Sequence, residues 1–121
     1  MSADIWLEDA EGTPLEDDYV HPAVQNISNV AYGNNFNLTY NLSPMLKAAG
    51  MPPWKELKGM GAKEAGEIWD RTVIEMVTHP DKYIPMNPEN GWGSYEQAIE
   101  VLGAMVTACR ANPDAKIGGW L

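Results

Sequence analysis

The chain has little with which to do covalent or metal chemistry. It contains a single cysteine, Cys109, so no internal disulfide can form and a cysteine-rich zinc site is excluded. That usage fits a reducing compartment. His21 and His79 are the only histidines, and no Ser-His-Asp order, Cys-His pairing, phosphate loop or His-Glu-x-x-His pattern is present. Lysine and arginine are absent from residues 1 to 46, although seven acids fall there. Direct nucleic-acid binding is not expected, because phosphate contacts need clustered basic residues, and anionic membranes are disfavoured for the same reason. No basic start is followed by a long apolar run, and no stretch approaches the ~20 apolar residues of a membrane span. The expected location is the cytoplasm.

What remains is enough for one ordinary domain spanning residues 1–121. At 121 residues and 45% hydrophobic, the chain can bury a core without metal or disulfide support. Its five tryptophans and seven methionines are a heavy load of large side chains, most of them destined for that core. The net charge of -9 is lopsided: the seven acids of the first 46 residues stand unopposed, whereas ten acids meet eight bases in the remainder. A one-sided negative field results if those acids share a face.

The expected fold class is α+β, a small antiparallel sheet packed against about three helices. Ile5-Trp6-Leu7 reads as a short strand, with Glu11-Gly12-Thr13-Pro14 as the turn behind it. Asn26 to Tyr32 and Phe36 to Leu42 read as a hairpin about Gly33-Asn34-Asn35. In its second strand Phe36, Leu38, Tyr40 and Leu42 alternate with Asn37, Thr39 and Asn41, which predicts one buried and one polar face. Ser43-Pro44 reads as a helix cap and first turn, with Gly50 as the stop. Trp54 to Leu57 forms a further helical turn before the Gly59-Met60-Gly61 break. From Ala62 the spacing of Ala65, Ile68, Trp69, Thr72, Val73, Met76 and Val77 predicts an amphipathic helix, ended by His79-Pro80. Ser94 and Gln97 form a capping pair for the final helix, on which Tyr95, Ile99, Leu102, Val106 and Cys109 share a stripe until Asn112-Pro113. Residues 115 to 121 can supply a closing strand, with Gly118-Gly119 as a bulge or bend.

Two landmarks, Tyr40-Asn41-Leu42-Ser43-Pro44-Met45 and Asn87-Pro88-Glu89-Asn90-Gly91-Trp92-Gly93-Ser94-Tyr95, carry a resemblance. Over residues 36 to 116 the chain resembles a family of small uncharacterised bacterial and tailed-phage proteins. Its members look alike in an Asn-x-Ser/Thr-Pro-Met helix start, an Asn-Pro-x-Asn-Gly-Trp-Gly loop and a final helix with a cysteine near its end. Cys109 and Asn112-Pro113-Asp114 fit that pattern, whereas the tail Ile117-Gly118-Gly119-Trp120-Leu121 departs from it. The resemblance implies a phage-like setting and no particular activity.

The second landmark is the candidate site. Glycines at 91 and 93 let the loop aim the Trp92 ring, and the following helix start offers backbone N–H groups and a positive dipole end. In this reading Trp92 and Tyr95 stack on a ligand, Asn87, Glu89 and Asn90 hydrogen-bond to it, and Asn41 completes the site if the landmarks meet in space. The plainer reading has Trp92 plugging the core and the asparagines capping turns. Cys109 lies on the apolar stripe, as an inert thiol would. Asp17, Asp18 and His21 match no defined metal spacing, so no metal and no cofactor are expected. The leading expectation is a non-enzymatic phage-type accessory protein that binds a host protein with a basic surface, as an inhibitor or anti-defence factor. The alternative is a protein that sequesters a small polar molecule or nucleotide at the Trp92 loop.

Overall fold

The computed structural model describes residues 2–15, 31–32 and 35–121. Four strands form one antiparallel sheet: β1 (Ser2–Glu8), β2 (Ala31–Tyr32), β3 (Asn35–Thr39) and β4 (Lys116–Trp120), in the order β2-β3-β1-β4. Asp17, Asp18 and His21, and most of the expected first hairpin strand, lie outside the described residues. The α+β expectation holds.

Alternation decides which way each strand faces. Ala3, Ile5 and Leu7 of β1, Phe36 and Leu38 of β3, and Ile117 of β4 all point into the core. Against this inner face lie two long helices, α3 (Ala62–Thr78) and α5 (Tyr95–Ala111), with the short α1 (Ser43–Ala48), α2 (Trp54–Leu57) and α4 (Pro80–Tyr83) completing the layer. The long helices approach closely at Gly66, where an added Cβ would stand 2.9 Å from Cβ of Cys109. Gly66 was not marked by apolar spacing, and Val77, which was, is half exposed.

The hairpin strand is shorter than its alternating pattern suggests. β3 stops at Thr39, and Tyr40–Leu42 wind into a 3-10 turn in which the Thr39 hydroxyl accepts the Asn41 N–H at 3.3 Å. Leu42 keeps its place in the core, but from a helical turn instead of a strand. Ser43 therefore does not cap α1: the preceding turn runs directly into the helix, Leu42 holds the cap position, and no side chain bonds there. Gly50 ends α1 as expected, at φ +96°, with its N–H on the Lys47 carbonyl and that of Met51 on Leu46.

β4 pairs along β1 from Asp4↔Trp120 to Glu8↔Lys116, so Gly118 and Gly119 stay within the ladder. Gly119 has φ +140°, and a Cβ there would run into the Asp4 carbonyl oxygen. The other edge of β4 is occupied as well: the Gly59 N–H bonds the Ile117 carbonyl at 2.7 Å, and the Ile117 N–H bonds that of Met60 at 2.8 Å. A strand so covered offers little template for intermolecular pairing.

Candidate functional site

The outer face of the sheet is built from the residues that alternate with the core. Ser2, Asp4 and Trp6 on β1, Asn37 and Thr39 on β3, and Trp120 on β4 share it by register, since Ser2 pairs with Thr39 and Asp4 with both Asn37 and Trp120. Asn37 Nδ2 donates to Ser2 Oγ and to Asp4 Oδ1, each at 2.8 Å, which holds a polar row across two strands. Beside it the Trp6 and Trp120 rings meet edge to face at 6.4 Å between centroids. Trp120 remains 72% exposed. Ser2, Asp4, Trp6, Asn37 and Thr39 on this face are half-buried.

The Trp92 loop closes one end of the face. Two asparagine side chains set its shape: Asn90 Oδ1 accepts the Trp92 N–H at 3.0 Å, and Asn87 Oδ1 accepts the Tyr95 N–H at 2.7 Å. Gly91 and Gly93 both have positive φ, +75° and +98°. Gly93 is also pressed against the turn after β3, because a Cβ there would lie 2.6 Å from Thr39 Cγ2 and 3.0 Å from Leu42 Cγ. Conformation and space both require glycine. This contact brings the two sequence landmarks together.

Trp92 itself is 71% exposed, so it does not plug the core. Trp92 borders a cleft of about 390 Å³ lined also by Ser2, Asn37, Thr39, Asn41 and Asn90. Asn41, Asn90 and Trp92 are thus brought to one place, as expected for a site, although Asn41 sits on the 3-10 turn and not on a strand. The other three expected residues are not among those lining the cleft. Tyr95 is 8% exposed and its hydroxyl donates to the Met76 carbonyl at 2.8 Å, which ties α5 to α3 and leaves no face for stacking. Asn87 is engaged as a cap, and Glu89 is an exposed loop residue. Ser2 was missed from the sequence because only the β1–β3 register places it here.

The electrostatics of the cleft narrow its ligands. Among the described residues, no lysine or arginine lines it. The start of α5 is also largely occupied, because Ser94 Oγ accepts the Gln97 N–H at 3.1 Å and Asn87 takes that of Tyr95. A phosphate would find neither a cation nor a free helix terminus. Neutral polar groups fit better: amide and hydroxyl groups on one side, a flat indole on the other.

Elsewhere, reactive chemistry is muted. Burial pushes the Cys109 thiol up to about 12, so almost none of it is thiolate near neutral pH. His79 lies 3.8 Å from Glu75 at the end of α3. Tyr83 hydrogen-bonds the same carboxylate, and burial together with that contact raises its pKa above the usual 10.0. Among the described residues, no group of three or more His, Cys, Asp and Glu is placed to hold a metal ion, and no helix is long and apolar enough to cross a membrane. Comparison with family models, with curated proteins and with solved structures gave no match.

Proposed function

We propose that the chain is a non-enzymatic recognition protein that engages a protein partner through the outer sheet face, with Trp92 as the principal anchor and Trp120 as a second. The observation that carries this reading is the exposure of the Trp92 ring on a loop pinned by Gly93 against Thr39 and Leu42. A ring carried on a pinned loop backbone leaves only its side-chain freedom to be lost on binding, and exposed tryptophans of this kind supply much of the energy at protein interfaces. The polar row of Ser2, Asp4, Asn37, Asn41 and Asn90 would set register around those anchors.

The resemblance to bacterial and tailed-phage proteins supports a host protein as that partner, and the net charge of -9 supports one with a basic surface. Inhibition of a host enzyme or defence system is the corresponding role, exerted from the host cytoplasm. The cleft beside Trp92 favours a second reading, in which a small neutral polar molecule stacks on the indole and bonds to Asn41 and Asn90. A nucleotide is the weaker form of that reading, since no lysine or arginine lines the cleft among the described residues.

The test is affinity capture from host lysate with native mass measurement, using the wild-type chain and Trp92→Ala. A specific partner retained by the wild type should be lost from the variant, with affinity reduced about 30-fold or more. Capture unchanged by the substitution removes Trp92 as anchor, and a retained small molecule in place of a protein selects the second reading. Partner binding that weakens as salt rises supports electrostatic steering; indifference to salt removes it.

A further inference from the structure

A second, larger cleft lies on the other side of the Tyr40–Leu42 turn. It encloses about 920 Å³ between that turn, α1 and the Pro52–Lys55 segment, a size suited to a small organic molecule. Its walls are apolar, with Tyr40, Pro44, Met51 and Trp54 supplying rings and a thioether. Two features make it more than a gap in packing. Trp54 is only 7% exposed, so its ring forms a fixed wall and not a mobile surface side chain. Lys47 and Lys55 also line the cleft, both exposed and neither in an ion pair among the described residues.

The charge pattern is the reverse of the whole molecule. The chain carries 17 acids and eight bases, yet two of those bases lie here and no aspartate or glutamate lines the cleft among the described residues. In a protein of net charge -9, an anion can be drawn only to such a local island of positive charge. The local sequence explains how the island is held. Pro52 and Pro53 stiffen the backbone leading into α2, and the Gly50 stop turns the chain after α1, so Lys47 and Lys55 come from two separately anchored helices.

We infer that this cleft is a binding site for an amphipathic organic monoanion, an aryl or medium-chain acid whose apolar body fills the walls while its acid group meets Lys47 and Lys55. The cleft shares no residue with the one beside Trp92, so the inference stands apart from the proposed partner-binding role.

The probe is 8-anilinonaphthalene-1-sulfonate, titrated by fluorescence into the wild-type chain and into variants whose fold is checked by circular dichroism. Saturable one-to-one binding is expected, displaced by decanoate at concentrations where decanol has little effect. The double variant Lys47→Gln, Lys55→Gln should bind the probe about tenfold more weakly or worse, as both charge-assisted contacts are lost. Trp54→Phe shrinks the aromatic wall and should weaken binding severalfold. Trp92→Ala should leave it unchanged, which separates this site from the sheet face. Unsaturable binding, equal displacement by decanol, or an undiminished affinity in the lysine variant overturns the inference. The lysines are exposed, so that variant decides the matter even if Trp54→Phe does not fold.

Discussion

The two faces of the sheet are made by the same strands and obey different demands. On the inner face, Ala3, Ile5, Leu7, Phe36, Leu38 and Ile117 are sealed against the helices, and each is explained by the area it removes from water. On the outer face, Trp6, Trp120 and the nearby Trp92 stand among Ser2, Asp4, Asn37 and Thr39, and folding gains little from the exposed rings. A folding requirement accounts for the first set and leaves two large aromatics of the second, Trp92 and Trp120, mostly in water. The proposed recognition role of the outer face rests on that difference.

Substitutions across the sheet test the division. Leu38→Ala, on the inner face, should cost about 2–5 kcal/mol in urea unfolding, because it opens a cavity where side chains from sheet and helices meet. A cost under ~1 kcal/mol there would erase the contrast. Gly93→Ala should have the next largest effect, about 1–3 kcal/mol, through forced positive φ and collision with Thr39 and Leu42. It should also weaken partner binding, because Trp92 would lose its fixed position. Trp120→Ala, on the outer face, should shift unfolding by no more than about 0.5 kcal/mol. If it destabilises as strongly as Leu38→Ala, its pairing with Trp6 is structural and the outer face loses one of its anchors.

Legibility from the sequence followed the range of the interactions involved. The spans of α3 and α5 were readable because periodic burial and local capping are written in consecutive residues: Ser94 is the cap, and His79 and Asn112 stand at the helix ends. The exit from β3 was not readable. Apolar residues at 36, 38, 40 and 42 satisfy a strand pattern, yet Thr39 closes onto Asn41 and a 3-10 turn buries Leu42 equally well. The short α4 and the 3-10 turn Ile84–Met86 went unforeseen for a related reason, since Pro80 both stops α3 and starts a new turn.

The candidate site divides along the same line. Amide-bearing and glycine-rich loop chemistry pointed to residues 87–95, and the side chains of Asn87 and Asn90 act locally as such residues do. Whether Trp92 faced water or core, and whether Tyr95 joined it, depended on the packing of distant elements: Gly93 against Thr39 and Leu42, and the Tyr95 hydroxyl against Met76. The lysine-rimmed cleft around Trp54 likewise gathers residues from separate segments that no spacing rule connects.

Composition and short-range pattern therefore determined the α+β class, the two long helices, the absence of disulfide chemistry and the acidic character of the protein. Those properties depend on neighbours within a few positions or on totals over the whole chain. The tertiary structure alone decided which tryptophans are presented to water, which asparagines share a cleft, and where two lysines escape their acidic surroundings. Exposure is set by what packs on the opposite side of a residue, and that partner comes from a part of the chain far away in sequence.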